Sequence, residues 1–147
     1  MRRLVKFWSL SKGERRLLRE AGILLLLSNA CIKFVAFRHI DRFLRAGCND
    51  HFESDFVHDK EIMLVQQAVS RAANIFPWQS LCLSRSIAEF IMLRRRGIPA
   101  VVVAGAKFSG PSSLEAHAWV NTGLNDNGSE GSGFTTVIRI GAEVADR

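Results

Sequence analysis

Hydrophobic positions change rhythm along this chain, and the rhythm predicts the elements. Ser11 and Glu14 form an S-x-x-E pair ahead of an apolar-rich stretch, so a capped helix is expected from there to about Asn29. Ser28 and Asn29 interrupt the apolar run, and a second helical stretch is expected over about 31–45, stopping near Gly47. The polar segment 47–55 reads as a loop. From about Phe56 to Asn74, Ile62, Val65, Ala68, Val69 and Ala72 recur at helical spacing, and Pro77 ends that pattern. Ser80 can cap a further helix that runs to about Arg96, with Gly97 as its natural stop. Behind Pro99 the rhythm shortens: "AVVVAGAKF" is β-branched and of strand length, "SGPSS" a turn, "EAHAWVN" a second strand and "FTTVIRI" a third, beyond the polar loop 122–133. Helices first, then a helix followed by strands, mean an α+β fold.

Composition sharpens this picture only through charge. A hydrophobic share of 48% against 23% charged residues belongs to a chain that folds. Residues 1–50 carry eleven Lys/Arg against four Asp/Glu, or +7, while the rest carry nine against ten, or −1. The chain is therefore read as a basic N-terminal helical region, 1–50, packed on a core, 51–147, in one domain overall. Such a basic face suits an acidic peptide, a partner protein or an anionic membrane surface, or is simply solvated. Nucleic acid is not expected, because no basic-aromatic motif or finger spacing appears. The apolar run Ala21–Leu27 is seven residues long, far from the roughly 20 that a spanning helix needs, and charge lies too densely ahead of it for a signal peptide.

Cysteine usage narrows the chemistry. Cys31, Cys48 and Cys82 are too few and too irregular for a disulfide framework, which favours a reducing cytoplasm. Neither they nor His39, His51, His58 and His117 lie at zinc-ligand spacing, and no cofactor is expected. Cys82 is distinctive because it falls in the first turn of its helix, where free backbone N–H groups and the helix dipole favour an anion. A nucleophilic cysteine needs a base, and His117 follows within a strand against which that helix can pack. An orienting acceptor for His117 would be Asp126, nine residues on. Spacing alone leaves two readings open for these residues: a catalytic Cys-His-Asp site, or a packing cysteine and a satisfied core histidine. Cys31 and Cys48 have no nearby base.

The motifs Cys82-Leu83-Ser84-Arg85-Ser86, Arg94 to Ile98, and His117-Ala118-Trp119-Val120 resemble the leader-peptidase B proteins of lasso peptide biosynthesis, the microcin-processing type. The resemblance covers residues 78–126 and extends more weakly to "WSLSKGERRLLREAGILLLL" near the N-terminus. It implies a papain-like, transglutaminase-like cysteine protease core with Cys82 as nucleophile and His117 as base. The family's acidic residue falls on Asp126 after Leu124-Asn125, in a segment shorter than the family's, with Asn125 as the alternative orienter. The implied reaction is hydrolysis that removes the leader from a lasso precursor peptide. The Cys82 N–H is one oxyanion donor and Gln79 a second candidate. The implied partners are the precursor, a separate leader-recognition protein and an ATP-dependent, asparagine-synthetase-like cyclase, because the chain resembles the split protease half. The rival readings are a non-catalytic binding module that docks a cyclase or membrane, and an acyl-transfer amidase or transglutaminase.

Overall fold

The computed structural model describes residues 11–34, 39, 42, 58–75, 82–110, 113–122 and 133–140. The first helix, α1, spans Lys12–Phe34. Its start is the expected capping box: Ser11 N–H donates to Glu14 Oε2 at 2.9 Å, and Glu14 N–H donates to Ser11 Oγ at 3.2 Å. These bonds, first of all the one from the Ser11 backbone, hold the Glu14 carboxyl below its ordinary pKa, with Arg71 adding to the effect.

The expected break at Ser28 and Asn29 does not occur, and α1 runs through both to Phe34. Ser28 is buried on the packed face, and Asn29 Oδ1 accepts a 2.8 Å hydrogen bond from Ser84 Oγ. Side chains engaged in tertiary contacts do not compete for the helix's own backbone groups, the usual reason for such residues to end a helix. Of the second stretch expected after it, His39 and Arg42 are helical and the remainder beyond Phe34 lies outside the described residues.

Helix α2, Asp59–Ile75, buries Ile62, Val65, Ala68, Val69, Ala72 and Ala73, the face its periodicity predicts. Helix α3, Cys82–Arg94, ends as Gly97 requires. Gly97 has φ +75°, its N–H donates to Arg94 O, and Ile98 N–H donates to Leu93 O, which together make a Schellman motif. Leu93 and Ile98, the apolar pair of that motif, are both buried in the core.

Strands β1 (Val101–Gly110), β2 (Ser113–Asn121) and β3 (Thr135–Ile140) form an antiparallel sheet in the order β2-β1-β3. Pairing of Val102 with Val120 and of Ala104 with Ala118 puts these residues on one face. Val102 belongs to the helical core and Val120 packs against it, so this face meets the helices. Among the strands helix α3 packs chiefly along β2, and α1 packs on both other helices. The result is the expected α+β fold, with a cysteine at the start of the helix that lies on an antiparallel sheet.

Candidate active site

Cys82 is the first residue of α3 and is half-buried. Its carbonyl accepts a 3.1 Å hydrogen bond from Ser86 Oγ. Behind it, Ser84 is fully buried and ties this first turn to α1 through Asn29. The opposite end of the helix is held by charge. Arg96 donates to Met92 O at 2.6 Å and to Glu20 Oε2 at 2.7 Å, and Arg95 lies 3.3 Å from Glu20 Oε1. The Arg-rich turn thus works as a clamp onto α1, where a cation also suits the helix C-terminus.

His117 sits mid-β2, directly opposite Gly105 of β1. Its ring stacks at 19° on Trp119, 6.2 Å between centroids, and tilts against Phe134 at 5.4 Å. Trp119 and Phe134 also meet, at 6.3 Å. Two-residue alternation puts His117 and Trp119 on the same sheet face, away from Val102 and Val120. Gly105 makes this arrangement possible. A Cβ there would lie 2.8 Å from Thr135 O and 2.9 Å from Trp119 Cη2, so the indole occupies the space that a side chain would fill. Lys107 places its ammonium 4.5 Å from the Phe134 ring centre and 3.2 Å from Glu115 Oε2. The Lys107 hydrogen bond, with a second from Ser109, lowers the Glu115 pKa.

Helix α3 packs on β2, but His117 lies on the sheet face opposite the one that meets the helices, so the described structure does not bring Cys82 and His117 together. Among the described residues no hydrogen bond joins them, and the neighbours of the His117 ring are aromatic. Catalytic hydrogen bonds often close only around bound substrate. Asp126, Asn125, Gln79, Cys48 and His51 lie outside the described residues. Cys31 is exposed on α1, His39 is exposed, and His58 pairs with Glu61 at 3.7 Å. Sequence reasoning missed the roles of Gly105 and Phe134. A glycine inside a β-branched strand was the available signal, because it marks close approach by another group.

An α+β domain with a cysteine opening the helix that packs on a histidine-bearing strand defines a transglutaminase-like architecture. The chain belongs to the Transglutaminase-like superfamily, whose family model matches residues 25–139. That span contains Cys82 and His117, and membership supports cysteine-peptidase-like or acyl-transfer chemistry in general. No curated protein and no solved structure matches the chain.

Proposed function

We propose that this protein is a cysteine peptidase that removes the leader from a lasso peptide precursor. One observation carries the reading: Cys82 opens a helix that packs on the antiparallel sheet, and it and His117 both lie inside the transglutaminase-like match. The resemblance of "CLSRS" and "HAWV" to the leader-peptidase B proteins supplies the substrate class.

His117 takes the Cys82 thiol proton, and the thiolate attacks the carbonyl of the scissile peptide bond. Charge gathers on the carbonyl oxygen, where the Cys82 N–H donates, with Gln79 as second donor. The amine of the core peptide leaves with the proton from His117. Water then adds to the thioester, gives a proton to His117, and releases the leader carboxylate and the thiol. Asp126 orients the imidazole in this scheme, and Asn125 is the alternative. Trp119 and Phe134 would shield the ring from water, which strengthens its polar contacts. The protein works in the cytoplasm with a separate leader-recognition protein, and an ATP-dependent cyclase receives its product.

Two measurements test this. Mass spectrometry of precursor incubated with the protein and the recognition protein should find free leader and a core peptide with a new amine. Intact precursor overturns the leader reading, and a cross-linked product replaces hydrolysis by acyl transfer. Alkylation near neutral pH tests the nucleophile separately. Exposure alone ranks Cys31 above half-buried Cys82, whereas a poised nucleophile makes Cys82 the fastest of the three cysteines. Slower alkylation of Cys82 than of Cys31 removes it from that role. If Asp126 orients His117, Asp126→Ala should lower kcat far more than it changes KM, and Asn125→Ala should be milder.

A further inference from the structure

Helix α1 has two faces that meet different surroundings. One, centred on Ala21, Leu25 and Ser28, is buried in the core. At 3.6 residues per turn, the opposite face carries Lys12, Arg16 and Arg19 in its first half, all exposed. Its second half continues the same line with Ile23, Leu27 and Phe34, which are 58%, 56% and 87% exposed. Leu26 adds to this stripe at 43% exposure. From Ile23 to Phe34 the stripe is roughly 16 Å long at 1.5 Å per residue. Contiguous exposed apolar surface beside cations marks a contact site, whereas isolated exposed leucines do not.

We propose that this face of α1 rests on an anionic membrane surface. The helix lies along the interface, with Lys12, Arg16 and Arg19 at the headgroups and Ile23, Leu27 and Phe34 among the acyl chains. Charge complementarity favours this occupant: residues 1–50 hold the chain's whole positive excess, at +7. The arrangement disfavours a second copy of the chain. Antiparallel pairing over the full length of two such faces would set Arg16 opposite Phe34, and parallel pairing would set cation against cation. No helix among the described residues is long and apolar enough to cross a membrane, so the contact is peripheral.

Flotation of the full chain with vesicles tests this. The protein should float with phosphatidylcholine vesicles containing about 30% phosphatidylserine, but not with phosphatidylcholine alone. Raising salt to about 1 M, where the screening length is about 3 Å, should release it. Arg16→Ala with Arg19→Ala should weaken binding about 25-fold, from the typical contribution of a cation at such a surface. Leu27→Ser with Phe34→Ser should weaken it at least ~10-fold, with circular dichroism and Tm unchanged because both side chains are exposed. Flotation with neither vesicle overturns the proposal and leaves an acidic protein as the occupant. Equal flotation with both, or flotation indifferent to the Leu27 and Phe34 changes, also overturns it. A dimer that the same two changes dissolve, without flotation, assigns the face to a second copy. None of these readouts involves Cys82, so they are independent of the proposed peptidase chemistry.

Discussion

The two ends of helix α3 are built for different purposes. Its C-terminal end is closed on every side: Gly97 turns the chain, Ile98 and Arg96 satisfy backbone carbonyls, and Glu20 of α1 takes both Arg95 and Arg96. Its N-terminal end is anchored from behind through Ser84, while Cys82 itself stays half-buried. The contrast separates what holds the helix in place from what it presents. As the proposed nucleophile, Cys82 needs a rigid support and an accessible position, and the helix would divide these tasks between its ends.

The sharpest way to break this comparison is to change one end at a time. Cys82→Ala should reduce precursor cleavage by at least ~10³-fold, the scale on which nucleophile loss is felt. Its thermal unfolding midpoint should stay near that of the parent. Retained cleavage by the folded variant would mean that the N-terminal end is structural after all.

Gly105→Ala probes the sheet face that carries His117. The new Cβ meets a backbone oxygen that has no room to yield and the Trp119 ring. We expect about 1–3 kcal/mol of destabilisation from overpacking. Chemical denaturation checks the cost, and Trp119 displacement should appear as altered tryptophan fluorescence together with slower turnover. Unchanged stability would contradict the close approach at this position.

At the C-terminal end the effects should fall on stability alone. Glu20→Gln removes the charge that two arginines share, and should cost roughly 1–2 kcal/mol as a charged hydrogen bond is lost. Gly97→Ala forces a side chain into a left-handed conformation, at about 1 kcal/mol. Both should retain the turnover of the remaining folded protein, and a selective loss of kcat would show that the two ends are coupled.

The smallest effect is at the α1 capping box. The folded pKa of Glu14 is lowered from 4.5, so its contribution is fully present above that value and disappears as pH falls through the lowered one. Glu14→Gln should lower stability slightly at neutral pH, make no difference once Glu14 is protonated at low pH, and so flatten the acid limb below about pH 5. A matching slope in the variant would mean that the Ser11 bonds carry no linkage.

Signals carried within one turn of chain were legible from the sequence: the Ser11–Glu14 box, the Gly97 stop, the α2 core face and the three strands. Their physics is local, since a cap or a Schellman turn needs only its own neighbours. The family resemblance likewise rested on contiguous motifs around Cys82 and His117, and the superfamily it implied is the one whose model matches residues 25–139. The end of α1 was misjudged because Ser28 and Asn29 act as breakers only when their side chains are free to reach their own backbone. Burial and a partner fifty-five residues away cancelled that tendency. The aromatic setting of His117 was invisible for the same reason. It depends on the register that sets Gly105 opposite His117 and on Phe134 arriving from just ahead of β3. Local sequence therefore determined which elements form and where the candidate nucleophile stands in its helix. Tertiary structure alone decided what surrounds these groups, because packing and strand register join residues that no spacing along the chain connects.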